Sequence, residues 1–196
     1  YDLLEREVVP LFFQRDGSGS LPRRWIKKMK TSVAHLSPRY NTARMVRDYA
    51  ARFYVPSVAL HARLVAGDLA GARALTAWKE RVRAAWPAVA VREITAPSRG
   101  EVAVGQAVSV SAIVALGTLE PSDVAVELYH GPTAGGHAIA RGHIVRMKEV
   151  ERLGDAWRYF GDIPTTESGD HAFCVRVVPY NDAMTHPYET SLIRWA

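Results

Sequence analysis

The stretch that decides the fold of the second half of the chain is AVSVSAIVA, residues 107–115. Apolar side chains recur there at every second position, with serines between them: Val108, Val110, Ala112 and Val114 against Ser109 and Ser111. A period of two is that of a β-strand with one face on a core and the other toward solvent. Residues 124–129 and 171–178 alternate in the same way. These three runs predict antiparallel strands.

Weaker strand patterns and turn signals fill the rest of residues 88–196. The weaker patterns cover residues 89–95, 138–149, 156–162 and 189–195. Turn residues separate the runs at 97–100, 105–106, 120–123, 131–136 and 168–170. Seven or eight short strands in about a hundred residues predict an immunoglobulin-like antiparallel β-sandwich. The cysteine pair of antibody domains is absent, so this likeness concerns architecture alone.

The first half has apolar residues three or four apart, which is the spacing of helices. Over residues 21–36 one face of the predicted helix carries an apolar stripe, and the basic residues lie largely away from it. The stripe consists of Leu21, Trp25, Met29, Val33 and Leu36. Asn41 is the predicted N-cap of a helix through residue 54. The inner face of that helix is predicted to carry Met45, Val46, Tyr49 and Phe53. Pro10 and Pro56 are predicted to end the helices that precede them.

A helical hairpin is predicted between these helices and the strands. Its two helices cover residues 57–66 and 69–86, with Gly67 between them and Asp68 as the cap of the second. One side of the second helix carries Leu69, Ala72, Leu75, Trp78, Val82 and Trp86. Pro87 ends the helical spacing. The expected domains are therefore 1–56, 57–87 and 88–196, an α+β arrangement by segments.

Charge and composition separate the same two halves. Residues 1–96 carry 17 basic and 8 acidic residues, a net charge of +9, whereas residues 97–196 carry 8 and 12, a net charge of −4. No apolar run approaches the ~20 residues of a membrane-spanning helix, and no signal peptide is visible. The single cysteine, Cys174, excludes an intrachain disulfide and favours a reducing, cytoplasmic location. The helix-forming start at Tyr1, without a cap, predicts that the chain begins inside an element of a longer protein.

Three strings in the helical half resemble the end of the catalytic domain of α-glucan phosphorylases, most of all the bacterial short type. They are YDLLEREVVPLFFQRD (residues 1–16), LPRRWIKKMKTS (21–32) and SPRYNTARMVRDYAARFY (37–54). The ending HAFCVRVVPYNDAMTHPYETSLIRWA (171–196) is similar to the tail of the same subgroup. The resemblance implies phosphorolysis of α-1,4-glucans to glucose 1-phosphate by the parent enzyme. It also implies that the helices close a two-lobed, Rossmann-like glycosyltransferase domain.

The resemblance further implies pyridoxal phosphate, held as a Schiff base on a lysine of the parent enzyme. That lysine lies in a Gly-Thr-Ser-Asn-Met-Lys-like motif, which none of the five lysines here matches: Lys27, Lys28, Lys30, Lys79 and Lys148. Gly17-Ser18-Gly19 lacks the spacing of a phosphate-binding loop. We therefore expect no catalytic, cofactor-binding or metal-binding residue in this segment, and no cofactor of its own.

Basic, histidine, cysteine and acidic residues each allow a functional interpretation beside a purely structural one. The basic cluster of residues 23–30 could bind nucleic acid, but a solvated helix face, or a face that meets an acidic surface of the missing lobes, is favoured. His130, His137 and His143 match no zinc spacing, and Cys174 and His171, three apart on a strand, face opposite ways. Three acidic residues are interpreted as capping or surface groups: Asp16, Asp48 and Glu80.

The second half is rich in aromatic residues: Tyr129, Trp157, Tyr159, Phe160, Tyr180, Tyr188 and Trp195. Burial in the core is favoured over a glucan-binding surface. The sequence thus predicts a non-catalytic, supporting C-terminal region of an α-glucan phosphorylase, with a carbohydrate-binding β-sandwich module as the alternative. The expected partners are the catalytic lobes of the parent chain, with α-glucan and a second copy as further candidates. Nucleic acid and membrane are not expected partners.

Overall fold

The computed structural model describes residues 1–15, 17, 20–97, 101–133 and 138–196. They form two compact units, Tyr1–Leu60 and His61–Ala196. The first is helical, and the second joins a helical segment to two four-stranded antiparallel sheets. The predicted order of helices followed by strands is confirmed. The predicted domain limits at residues 56 and 87 stay a prediction, and the loops predicted at 15–20, 97–100 and 131–136 lie partly outside the described residues.

The first unit consists of short helices. They are a π-helical turn (Leu4–Val8), α1 (Val9–Phe13), α2 (Arg23–His35), α3 (Thr42–Tyr49) and a second π-helical turn (Ala50–Tyr54). The predicted N-cap is confirmed, because the side-chain oxygen of Asn41 accepts a hydrogen bond from the backbone N–H of Arg44 at 2.8 Å. Within α1, α2, α3 and the π turns of this unit, no residue is buried.

The prediction that Pro10 and Pro56 end helices is wrong. Each proline is the second residue of an α-helix that follows a π turn. The N–H of Val9 bonds to the carbonyl of Leu4, and that of Val55 to the carbonyl of Ala50, five residues back in both cases. The wider turn leaves room for the proline ring, and the first turn of a helix has no need of the N–H that proline lacks.

The long helix α4 (Val55–Ala85) is interrupted where the sequence predicts the break between two helices. Ala66 is extended, and the next three residues have left-handed backbones, with φ of 59° at Gly67, 56° at Asp68 and 63° at Leu69. The predicted N-cap at Asp68 is wrong, because an N-cap residue has an extended backbone. Its carboxylate instead accepts a hydrogen bond from the guanidinium of Arg73 at 3.1 Å.

The last turn of α4 tightens into a 3₁₀ turn (Trp86–Ala88), and eight strands follow it in the part of the chain that the structure describes. In chain order they are β1 (Ala90–Thr95), β2 (Ala107–Ala115), β3 (Val124–Pro132), β4 (His143–Arg146), β5 (Lys148–Leu153), β6 (Ala156–Pro164), β7 (His171–Pro179) and β8 (Arg194–Trp195). A 3₁₀ turn (Pro121–Asp123) leads into β3. One sheet has the order β1-β2-β6-β5 and the other the order β4-β3-β7-β8.

Two of the predicted strands differ from the structure. Residues 138–149, predicted as one strand, contain β4 at the edge of one sheet and the start of β5 at the edge of the other. Met147 joins them and donates its backbone N–H to the carbonyl of Val126. Residues 189–195 form only the two-residue strand β8. A one-strand prediction fails at Met147 because a sheet-changing residue keeps the same extended, apolar pattern as a continuous strand.

An apolar core lies between the two sheets and the second segment of α4. Trp78, Val82 and Trp86 from the helical end are buried against strand residues of both sheets. The predicted stripe on this helix is therefore confirmed from Trp78 onward, whereas Leu69 lies in the break and is exposed. The two sheets approach closely at Gly161, since a Cβ there would lie 2.9 Å from the Leu128 side chain of the facing sheet.

In the described ranges, no helix has both the length and the apolar character needed to cross a bilayer.

Candidate functional site

Asp123, at the start of β3, fastens α4 to the sheets. The indole Nε1 of Trp78 donates to its Oδ1 at 2.8 Å, and the guanidinium of Arg81 donates to both carboxylate oxygens at 2.6 and 2.8 Å. The backbone N–H of Glu120 adds a bond of 3.0 Å to Oδ2. The hydrogen bond from Arg81 leads in lowering the pKa of Asp123. Asp123 is therefore a buried, ionised anchor for the helix, which we call the Asp123 clamp.

A second set of polar contacts ties α4 to the segment after β7. Lys79 Nζ donates to Glu189 Oε2 at 2.8 Å, and Arg63 donates to the backbone oxygen of Asp182 at 2.7 Å. Burial by itself would raise the pKa of Glu189, but the hydrogen bonds from Lys79 and Thr185 lower it to about 2. The segment after β7 is thus held by polar contacts to a helix more than 100 residues earlier.

Arg176 lies on β7 and is buried, although the sequence places it on the polar face of its strand. It pairs with Glu127, its cross-strand neighbour on β3, through Nε to Oε2 at 2.8 Å. Three aromatic rings lie within 5.4–5.8 Å of its guanidinium carbon: Tyr129, Tyr188 and Trp195. The alternating pattern of β7 predicts an exposed Arg176. The side chain is buried because the segment after β7 covers this face of the sheet.

A groove of about 420 Å³ lies on the apolar face of α2, and a larger one of about 720 Å³ lies on the second unit. The larger groove opens at Met147, where the chain passes from one sheet to the other. We call it the Met147 groove. Its lining comes from the turn before β3, from β3, from the β4–β5 crossover and from β6: Glu120, Pro121, Ser122, Val124, Val126, Arg146, Met147, Lys148, Glu149, Trp157 and Tyr159.

Two aromatic side chains of β6 lie on the same face of the strand and line the Met147 groove. Trp157 is half-buried, and the guanidinium of Arg152 lies 5.6 Å from its ring centroid. Tyr159 is 3% exposed, and among the described residues its hydroxyl has no hydrogen-bond partner. Burial raises the pKa of the Tyr159 phenol, so the hydroxyl stays protonated and can both donate and accept.

Comparison with known proteins places these features in a family. The family model described as "Glycogen phosphorylase C-terminal domain" matches residues 86–196, more than half of the chain. The chain belongs to this family. The resemblance expected from the sequence is therefore confirmed, and Asp123 and the residues of the Met147 groove lie within the matched range.

Curated relatives extend the match to the whole chain. A maltodextrin phosphorylase from Thermococcus litoralis is 32% identical over 199 residues, covering 100% of this chain and 22% of its own length. A glycogen phosphorylase from Mycobacterium tuberculosis is 27% identical over 198 residues, covering 100% and 23%. A third, from Aquifex aeolicus, is 41% identical over 54 residues. The chain thus spans less than a quarter of these relatives' length. No solved structure matches it.

The lysines of this phosphorylase C-terminal domain chain do not fit a Schiff-base site for pyridoxal phosphate. Such a lysine is desolvated in an apolar pocket or lies next to another cation, which lowers its pKa. Lys27, Lys28 and Lys30 are exposed on α2, and Lys148 is exposed at the Met147 groove. Lys79 forms the ion pair with Glu189. None of the five lysines is therefore suited to form that Schiff base.

The histidine and cysteine candidates lie in the second sheet. The rings of His130 and His143 are 5.9 Å apart, centroid to centroid, and His137 lies outside the described residues. Burial, then the charges of His143 and His171, lower the pKa of His130. In the ranges that the structure describes, no three potential ligands gather into a metal site. The half-buried Cys174 lies near the carbonyls of Val175 and Ala196, whereas His171 contacts Gly169.

The predicted burial of the aromatic residues of the second half is largely wrong. Only Tyr159 is fully buried, and four are exposed by 38–48%: Phe160, Tyr180, Tyr188 and Trp195.

The three acidic residues were predicted to have capping or surface roles. Asp48 pairs with Arg44 at 2.8 Å and Glu80 is exposed, which agrees with this prediction, while Asp16 lies outside the described residues. The sequence analysis did not single out Asp123 or Arg176, and it named Tyr159 only as one of the aromatic residues expected in the core. The one available signal was Asp123 itself, an acidic residue at the end of a turn that precedes an apolar strand.

Proposed function

We propose that this chain is the non-catalytic C-terminal region of an α-glucan phosphorylase, whose helices support the catalytic lobes of the parent enzyme. The parent reaction is phosphorolysis of α-1,4-glucan to glucose 1-phosphate, with pyridoxal phosphate bound by those lobes. The family match and the names of the relatives, maltodextrin and glycogen phosphorylases, support this assignment. No site residue of this segment takes part in the chemistry.

The observation that carries the supporting role is the exposure of apolar faces on the first unit. The predicted inner faces of α2 and α3 are 42–65% exposed at Met29, Val33, Met45, Val46 and Tyr49. Exposed apolar side chains that recur along one face of a helix mark an interaction site on a soluble protein. The aligned relatives supply a candidate partner, since more than three quarters of their length lies outside the matched region.

The finer fold assignment is part of the proposal. The orders β1-β2-β6-β5 and β4-β3-β7-β8 correspond to strands A-B-E-D and C′-C-F-G of an immunoglobulin-like sandwich. We place the domain limits at 1–56, 57–87 and 88–196 and derive the first segment from a Rossmann-like lobe. The lone Cys174 supports a cytoplasmic location. Association with a second copy is a further expectation.

A second candidate function is retention of glucan by the two-sheet unit. The specific observation that favours it is the Met147 groove, with Trp157 and Tyr159 in its lining. The two functions are compatible, because the groove lies on the second unit and the exposed apolar faces lie on the first.

The supporting role predicts that the isolated chain exposes an apolar surface that binds ANS and promotes self-association. A Met29→Glu, Val33→Glu double variant should bind less of the dye ANS and self-associate less than the wild-type chain, as measured by fluorescence and by sedimentation. The matched control is Lys27→Glu, Thr31→Glu, which places two glutamates at the same spacing on the opposite face of α2. The control should leave both signals unchanged apart from the effect of net charge.

The non-catalytic assignment is tested on the same preparation. With maltoheptaose and inorganic phosphate we expect no glucose 1-phosphate, and with added pyridoxal phosphate no Schiff-base absorbance. Turnover or a stoichiometric Schiff base would refute it. A wild-type chain that is monomeric and binds no ANS would refute the supporting role.

A further inference from the structure

We infer that His130, His143 and His171 form a pH-sensitive switch that loosens the edge strand β4 from β3 as the solution becomes acidic. We call these three residues the histidine cluster. An imidazole ordinarily takes up its proton near pH ~6.5, close to the physiological range. The switch is independent of the proposed supporting role, because it lies in the second sheet and that role belongs to the first unit.

Strand pairing brings the histidine cluster together. His130 on β3 is the direct cross-strand partner of His143 on β4, and the ring centroids are 5.9 Å apart. His171 on β7 is the partner of Pro132, two residues beyond His130 on β3. Side chains two residues apart on a strand lie on the same face. All three imidazoles therefore lie on the face of the sheet that carries the core.

His130 lies at the rim of that core. It is 8% exposed, whereas His143 and His171 are exposed. On the same face, Leu128 is fully buried two residues earlier, and Phe173, the partner of His130 on β7, packs against the core. A buried imidazole resists protonation because its charged form loses hydration. Burial, and after it the charges of the other two histidines, lower the pKa of His130.

The charged groups of the neighbouring strands do not compensate a positive charge on the cluster. Among the described residues, no carboxylate forms an ion pair with any of the three imidazoles. Glu127 of β3 lies on the opposite face, where it pairs with Arg176 of β7. Asp162 of β6, in the facing sheet, is exposed and accepts a hydrogen bond from Ser109 at 2.7 Å. The remaining charged residues at the ends of β4 and β7 are exposed: Arg141, Arg146 and Asp170.

The strand that should respond to this charge is β4. It has only four residues (His143–Arg146) and lies at the edge of its sheet, whereas β7 pairs with β3 along the whole of both strands. Like charges directly opposite each other on paired strands are destabilising. Protonation of the cluster therefore acts on the weakest pairing of the sheet. Because Met147 follows β4, the connection between the two sheets should loosen with it.

Acid should destabilise the chain within a definite pH range. The pKa of His130 is lower in the folded chain than in the unfolded one, so the unfolded chain takes up the proton first as pH falls. The stability is at its full value above about pH 7.5 and is lost as pH falls below about 6.5. This range lies above the one in which Glu189, with a folded pKa of about 2, is expected to act, so the two effects can be separated.

The first test is urea unfolding of the full 196-residue chain at about pH 7.5 and about pH 5.5. The wild-type midpoint should fall between the two conditions. Most of that fall should be absent from His130→Phe, which keeps a ring at the rim of the core but cannot take up a proton. The matched control is His61→Gln, at an exposed histidine of α4, which should keep the wild-type pH dependence. No fall in the wild type, or an equal fall in His130→Phe, would overturn the inference.

Imidazole NMR of the folded chain provides a second test, which stands even where His130→Phe does not fold. The C–H signals of His130 should titrate with a midpoint below ~6.5. His143→Gln removes one neighbouring positive charge and should raise that midpoint, a coupling that a merely structural histidine would not show. Hydrogen exchange, corrected for the intrinsic rate at each pH, should show that β4 loses protection in acid before β2 does. A midpoint at or above that of a free imidazole, or one that His143→Gln leaves unchanged, would refute the switch.

Discussion

At the scale of single residues, the carboxylate of Asp123 is a buried charge whose hydrogen bonds hold α4 on the sheets. It is 5% exposed and accepts four hydrogen bonds, from Trp78, twice from Arg81 and from the Glu120 backbone. A buried charge is tolerated when its lone pairs are satisfied in this way, and removal of its negative charge leaves donors without acceptors. The clamp therefore fixes where α4 lies on the sheets.

Asp123→Asn should lower the free energy of unfolding by about 2–3 kcal/mol. This is less than the ~3–5 kcal/mol of a fully buried pair, because Arg81 is half-exposed. The amide keeps the shape but carries an NH₂ group where Arg81 or Glu120 donates. Urea unfolding measures the change. Arg92→Gln, which removes the exposed ion pair with Asp155, is the control and should barely move the midpoint. An equal effect of both variants would contradict the clamp.

Glu189 should make the chain sensitive to acid. Its folded pKa of about 2 lies below the usual 4.5, so the unfolded chain takes up the proton first as pH falls. The stabilisation is complete above about pH 5 and is lost between about pH 5 and 2. The difference in unfolding free energy between the wild type and Glu189→Gln should therefore be largest at pH 6–7 and shrink toward pH 3. A difference that stays constant over that range would show that Glu189 is not the titrating group.

The residues of these sites could not be chosen from the sequence because their partners are distant along the chain. Arg176 pairs with Glu127, which is 49 residues away in the sequence, because β3 and β7 are neighbours in the sheet. Lys79 pairs with Glu189, which is 110 residues away. A local pattern shows Arg176 only as a polar residue between two valines. By contrast, Asn41 was predictable, since an N-cap acts three residues away on the same helix.

At the scale of elements, the sequence predicts periodic segments well and their ends less well. The observed positions agree with the predicted ones for α2, β2 and β7, since each of these elements repeats its apolar pattern several times. The helix ends predicted at Pro10 and Pro56 are wrong because a proline breaks a helix only when it lies in the helix interior. In the first turn of a helix a proline is accommodated. Whether a π turn precedes it depends on backbone geometry that residue types do not encode. The Gly67 break was predictable for the opposite reason, because glycine adopts the left-handed backbone without strain.

At the scale of the whole chain, the two units differ in how they are stabilised. The unit His61–Ala196 contains the apolar core formed by Trp78, Val82 and the strands. In the helices of Tyr1–Leu60 that precede α4, none of the residues is buried. Local stability follows the number of buried apolar contacts, so the two units should open with different free energies.

Hydrogen exchange followed by mass spectrometry should resolve this difference. Amides of β2, β3 and β7 should exchange slowly, through global unfolding, whereas those of α2 and α3 should exchange within the first time points. Protection of α2 and α3 that rises with protein concentration would identify self-association through their apolar faces. Equal protection of both units in dilute solution would contradict the supporting role, since helices that bury nothing of their own have no other source of stability than a partner.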